Sequence, residues 1–143
     1  MGGWKDQTIR DFLEKKVYAG VNNQYKDLIK LTKVKSGTWN APEYSQSIVE
    51  IVETNDHIFI PAKIELGFDD NNQITKGESV KFDQFTTNET RIGLTESNAP
   101  SPYWTRTMGN NNWGFQYIKL EGDIYTYGDA PSESKNLRYM ITI

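Results

Sequence analysis

Tyr103-Trp104-Thr105-Arg106-Thr107-Met108, followed by Gly109-Asn110-Asn111-Asn112-Trp113-Gly114, places two of the chain's four tryptophans around an asparagine triplet closed by glycines. Asparagine side chains compete for nearby backbone hydrogen bonds, so three in succession oppose helix and strand alike. The stretch reads as a loop held between large aromatic anchors. The C-terminal half of the chain reads as the β-scaffold that holds it.

Outward from that loop, residues 115–120 and 124–127 flank Glu121-Gly122-Asp123, a compact hairpin signal. Strand periodicity turns Tyr125 and Tyr127 to one side and Ile124 and Thr126 to the other. Leu137, Tyr139, Ile141 and Ile143 alternate with Arg138, Met140 and Thr142, which predicts a last strand finishing inside the sheet. Upstream, Ser97-Asn98-Ala99-Pro100-Ser101-Pro102 is an extended link. Residues 48–52 and 58–60 are β-branched runs separated by a predicted turn at Thr54-Asn55-Asp56-His57. Residues 36–42 read as loop, after a strand-like stretch at 30–35. At the N-terminal end, Ile9, Phe12, Leu13 and Val17 recur at helical spacing, which predicts a helix over 6–18 with Asp6 as N-cap and Gly20 as its stop. A shorter helix through Lys30, capped by Asn22 or Asn23, is expected to bury Tyr25, Leu28 and Ile29. The sum is an α+β fold: two N-terminal helices on a small, mostly antiparallel sheet with long polar loops. It is read as one domain over 1–143, with no internal repeat or linker.

Composition narrows the function classes. The net charge is −3, which argues against a general nucleic-acid or anionic-membrane binder. Charge is segregated, with eight Lys/Arg against four Asp/Glu in residues 1–35 and three against ten in residues 36–90. The basic block is expected to be a solvated helix face. The absence of cysteine removes disulfides, thiolate metal sites and thiol catalysis. No stretch approaches a membrane span, and Met1-Gly2-Gly3-Trp4 is not a signal peptide.

Six short motifs, in order, carry a resemblance. They are Gly3-Trp4-Lys5-Asp6-Gln7-Thr8-Ile9-Arg10-Asp11-Phe12-Leu13, Lys26-Asp27-Leu28-Ile29, Asn55-Asp56-His57-Ile58-Phe59-Ile60-Pro61, Tyr103-Trp104-Thr105-Arg106-Thr107, Glu121-Gly122-Asp123-Ile124, and the run from Leu137-Arg138 to Ile143. Together they resemble a functionally uncharacterised bacterial and prophage domain family, related to the C-type-lectin-like folds of formylglycine-generating-enzyme relatives and of phage and retroelement variable proteins. The resemblance implies a C-type-lectin-like fold in which Trp4, Trp104, Arg106 and Arg138 are structural signature positions. It also suggests that relatives carry further N-terminal strands. Thr105, Met108 and Tyr139-Met140 depart from the family pattern, which leaves the local turns open. Formylglycine-type chemistry is not implied, because it needs cysteine.

Candidate chemistry is sparse. His57 is the single histidine and sits before an apolar strand without a Gly-x-Ser-x-Gly motif, so it is read as structural. Asp69-Asp70-Asn71-Asn72-Gln73 offers oxygen ligands but lacks the glycine and the distal Glu of an EF-hand, so no metal is assigned. No glycine-rich phosphate cradle is present, and no catalytic residue or cofactor is assigned. Arg106 and Arg138 are read as stacking on aromatics and bonding loop carbonyls. That leaves Tyr103, Asn110, Asn111, Asn112, Trp113, Tyr125 and Tyr127 as candidate ligand-binding residues, because rings stack on sugars or fill pockets and amides both donate and accept. The expectation is a non-enzymatic recognition module of a bacterial surface or phage-associated protein. It would contact glycan or protein, with no nucleic acid and no membrane insertion, and it is compatible with an oligomer. A structural subunit of a phage or surface assembly and a glycan-acting enzyme are the alternatives.

Overall fold

In a computed structural model, residues 3–39, 49–68, 77–109, 114–130 and 133–143 are described. The chain opens with a 3-10 turn at Trp4–Asp6, continues into α1 (Thr8–Phe12) and a π-helical stretch at Leu13–Tyr18, and then forms the short α2 (Asn23–Lys26). Two long strands follow, β1 (Thr32–Trp39) and β2 (Val49–Asp56). After α3 (Asn88–Arg91) come β3 (Tyr103–Met108), β4 (Phe115–Ile118) and β5 (Ile124–Asp129). β1 and β2 form one antiparallel sheet, and β3-β4-β5 form a second. The architecture is small, mixed α/β and antiparallel, with strands outweighing helices.

Several local expectations shift. Asp6 lies in the 3-10 turn rather than capping a helix, and α1 starts after Gln7. Asn22 does cap α2, its side chain accepting from Gln24 N at 3.1 Å, but that helix stops at Lys26. Tyr25 and Leu28, predicted to be buried, are exposed. Residues 36–39 belong to β1 instead of a loop, and residues 54–56 of the predicted turn at 54–57 are the end of β2, with a bend beginning at His57. The cause is pairing: the ladder runs without a break from Thr32 opposite Asp56 to Trp39 opposite Val49, overriding the turn propensity of Thr54, Asn55 and Asp56.

That strand end is held by buried polar bonds. Trp4 Nε1 donates to Asp56 Oδ2 at 3.0 Å, Thr54 Oγ1 to the same oxygen at 2.6 Å, and Arg10 Nε to Oδ1 at 2.6 Å. Asp56 is fully buried, and these donors replace the water it has lost. Next along the chain, Glu14 accepts from the backbone of His57 at 2.6 Å and lies 3.1 Å from His57 Nδ1, while Tyr18 stacks flat on the imidazole at 4.0 Å. The N-terminal helical segment is thereby fastened to the first sheet through residues 54–58.

Two apolar clusters sit behind these fastenings. The larger gathers Trp4, Leu13, Val34, Phe59, Trp104 and Phe115 among others; the smaller gathers Leu66, Phe85, Tyr103 and Ile118. Met140 packs against both. The run at 137–143, predicted to be a buried final strand, makes one isolated bridge, Met140 with Phe59, and Asn136 just before it bridges Tyr103. Its even-numbered Met140 turns to the core, while Tyr139, Ile141 and Ile143 face outward.

Candidate functional site

Strand β3 is the hinge of the molecule's chemistry, because its six side chains are all buried yet serve two different purposes. Tyr103 and Trp104 keep regular register with Ile118 and Tyr117 of β4, but a shift before Met108 pushes Thr105-Arg106-Thr107 out of the ladder. Arg106 uses that bulge to reach a buried carboxylate. Its Nη1 and Nη2 meet Glu65 Oε2 and Oε1 at 2.7 and 2.5 Å, with Nη1 also donating to Ile60 O at 2.7 Å and Nε to Lys35 O at 3.1 Å. A second buried acid adjoins it: Glu78 accepts from Gly37 N at 2.9 Å and from Thr107 Oγ1 at 2.7 Å. Burial pushes the Glu78 carboxyl up to about 7, with Arg106 and the two hydrogen bonds opposing the shift. This knot joins β1, the segment after β2, and β3. Each of the three nitrogens of Arg106 bonds to protein and the residue is 1% exposed, so Arg106 is not presented to a ligand.

Tyr103 belongs with the closed side as well. It is 1% exposed, and its hydroxyl donates to Arg91 O at 2.7 Å. Burial raises its phenol pKa. Arg138 Nη1 donates to the same carbonyl at 3.1 Å and its guanidinium lies over Phe85 and Tyr103. As placed, Tyr103 is a core residue and does not reach a surface ligand.

The open side of the second sheet carries the other arrangement. Trp104 is opposite Tyr117, and Tyr117 is opposite Tyr125, so three rings occupy facing positions across three strands. Trp104 and Tyr117 meet edge to face with centroids 6.0 Å apart; Tyr117 and Tyr125 tilt at 5.0 Å; Tyr125 and Tyr127 follow at 6.1 Å. The ladder climbs from buried Trp104 to Tyr127, which is 64% exposed. Lys135 Nζ caps its inner end, 4.5 Å from the Trp104 ring and 4.2 Å from that of Tyr117, and pairs with Asp129 at 2.8 Å. Burial, then Asp129, raise the Tyr117 phenol pKa, and Lys135 partly offsets them.

Tyr127 is carried by a register shift in β5, after which Asp129 pairs with Phe115. Gly114, at φ 64°, packs against the Asp129 backbone where no Cβ fits, and Gly109 N donates to Gly114 O at 3.1 Å. The base of the 109–114 loop, at Gly109 and Gly114, therefore closes against the backbone of Asp129. Asn110, Asn111, Asn112 and Trp113 lie outside the described residues, as does the acidic run 69–73. Among the described residues no group of three or more His, Asp or Glu could hold a metal ion, and no helix is long and apolar enough to cross a membrane.

Sequence reasoning missed Glu65, Glu78 and Lys135. Nothing in their neighbours in sequence marks a buried acid or a lysine seated on rings; those roles arise from contacts tens of residues apart. Tyr125 and Tyr127 were legible because strand periodicity sets their common side.

The fold and ladder define a small antiparallel α/β protein with an aromatic face. Over residues 1–138 the chain matches the family described as a domain of unknown function (DUF6273), and it belongs to that family. Comparison with curated proteins and with solved structures gave no match.

Proposed function

We propose that this protein is a non-catalytic recognition module of C-type-lectin-like fold, serving a bacterial surface or phage-associated assembly outside the cell. It contacts a glycan or protein through the rings of Tyr125 and Tyr127 and the adjoining 109–114 loop. The observation that supports this reading is the cross-strand ladder from Trp104 to Tyr127. Tyrosines tilted against one another offer broad contact area at small entropic cost, and their hydroxyls add polar contacts. Preorganisation is supplied by Tyr117 and Trp104 behind the exposed rings, so little order has to be imposed when a ligand arrives.

The test is a glycan array, with a parallel pull-down from bacterial surface material, comparing wild type with the Tyr125→Ala/Tyr127→Ala double variant. The expected result is binding without turnover by wild type, and loss of at least about tenfold in affinity by a variant that still folds. Trp113→Ala should fold and lose binding as well. Turnover that a single Asp or Glu substitution abolishes would overturn the non-catalytic reading.

A further inference from the structure

Arg138 is tied to the protein by one of its three nitrogens. Nη1 donates to Arg91 O at 3.1 Å and to Tyr103 Oη at 3.4 Å, which uses both of its hydrogens. The guanidinium rests over Phe85 and Tyr103, its carbon 5.0 and 5.5 Å from the ring centroids. Nε and Nη2 bond to no described residue, and among the described residues Arg138 enters no ion pair. That unused pair is the side-on edge of the guanidinium, where two N–H groups lie parallel and fit the two oxygens of one carboxylate. Arg91 adds a second positive charge at the same place. Burial raises the Tyr103 phenol pKa, and Arg138 and then Arg91 draw it back down. The half-buried Arg138 therefore holds a cation beside another cation, with no described acid brought to it.

Arg138 lines a cleft of about 240 Å³ together with Ile92, Leu94, Ser101, Asn136 and Leu137. Main-chain bonds fix its walls. Ser101 N donates to Gly93 O at 2.8 Å, Asn136 N to Pro102 O at 3.0 Å, and Trp104 N to Asn136 O at 3.2 Å. Asn136 Nδ2 joins the two walls by donating to Ser101 Oγ at 2.6 Å. The volume falls below the ~300 Å³ at which drug-sized sites begin, so it suits a single residue. Leu94, Asn136 and Leu137 also line a wider neighbouring cleft with Thr95, Glu96 and Ser97, so the space continues outward. The cation lines the narrow part, and the acid, Glu96, lines the outer part.

We infer that this cleft is a carboxylate site, in which the Nε–Nη2 edge of Arg138 takes the C-terminal carboxylate of a peptide ending in an aliphatic residue. Ile92, Leu94 and Leu137 receive that last side chain, and the outer cleft receives the residues before it. An acidic sugar offers the same carboxylate but sets hydroxyls against three aliphatic side chains, and a phosphate brings nothing to fill them. Glu96 in the outer cleft opposes a ligand with further negative charge. Capture of a chain end by a few convergent donors is an established mode of peptide recognition. The cleft shares no residue with the ladder from Trp104 to Tyr127, so the inference goes beyond the proposed function and is tested apart from it.

Titration of the full chain with N-acetyl-Gly-Leu, followed by NMR or calorimetry, tests it beside the C-terminal amide of the same peptide, glucuronate and inorganic phosphate. The expected result is saturable binding of the free acid with Kd on the order of 1 mM or tighter, and at least about tenfold weaker binding of the other three. Arg138→Lys keeps the charge and loses the fork, so the folded variant should bind the peptide at least about tenfold more weakly. Should that variant fail to fold, Leu94→Glu, at a position 59% exposed, sets a competing carboxylate at the cleft and should weaken binding as much. No saturation by about 10 mM peptide, equal binding of the amide, glucuronate or phosphate bound as tightly as the peptide, or a folded variant that binds as wild type would each overturn the inference.

Discussion

The Arg106 knot and the aromatic ladder both depend on β3, and both put a cation among groups that attract it, but they differ in closure. In the knot, the guanidinium side chain is 1% exposed and each of its three nitrogens bonds to Glu65 or a backbone carbonyl. In the ladder, Lys135 is sealed at one end while Tyr127 stands in solvent at the other. A closed polar network fixes a conformation, whereas an open aromatic row leaves contact area unspent. The comparison teaches that residue type alone does not mark a site. Arg106 has the chemistry of an anion hook and is used as a tie, and what separates tie from hook is whether any of its nitrogens is open to solvent.

The largest effect should come from breaking the knot. Arg106→Met removes the partner of Glu65 and leaves two acids buried without a cation, a change that costs on the order of 3–5 kcal/mol in comparable pairs. Chemical denaturation should show a fall of that size or a protein that does not fold. A loss below about 1 kcal/mol would mean that the cluster is open to water and that the contrast with the ladder is false.

Glu78 sharpens the same point through pH. Its carboxyl is raised from 4.5 to about 7 in the folded protein, so between those values the folded state holds a proton that the unfolded state has released. Stability is therefore greatest near and below pH 4.5 with respect to this group, and falls as pH rises toward 7, by on the order of 3 kcal/mol in all. Glu78→Gln keeps an acceptor for Gly37 N and cannot ionise, so its stability should be flat over that window. A wild-type profile as flat as that of the variant would show that Glu78 is solvated.

How far these regions were legible in the sequence follows from the range of their contacts. The hairpin at 119–123 was readable because its glycine and acids act locally, and Lys119 N does close on Asp123 O at 2.7 Å. The polar residues at 54–56 were misread as a turn because Asp56 takes its partners from Trp4 and Arg10, about fifty positions away. Alternation at 137–143 was misread as a buried strand, because it grouped Tyr139, Ile141 and Ile143 without information about what covers them, and Met140 on the other side packs on the core instead. Tyr25 and Leu28 repeat that lesson: helical spacing identified an apolar side, yet they remain 54 and 53% exposed on it. The candidate rings were legible in part, since periodicity paired Tyr125 with Tyr127. It could not show that Tyr103, one strand away, was spent on the carbonyl of Arg91.

The smallest effect expected is at the inner end of the ladder. Lys135→Met keeps the aliphatic stem against Trp104 and Tyr117 but removes the ammonium that lies over both rings and pairs with Asp129. A desolvated cation over aromatic faces is worth about 1–2 kcal/mol, so the loss measured by denaturation should be near 1 kcal/mol. Because Lys135 holds the Tyr117 phenol down against burial and Asp129, that phenol should titrate higher in the variant, which ultraviolet titration can read. Binding of an uncharged glycan should be nearly unchanged, because the outer rings are left in place. A large loss of binding together with unaltered stability would move the contact from the exposed tyrosines to the lysine, and the open end of the ladder would then be its inner one.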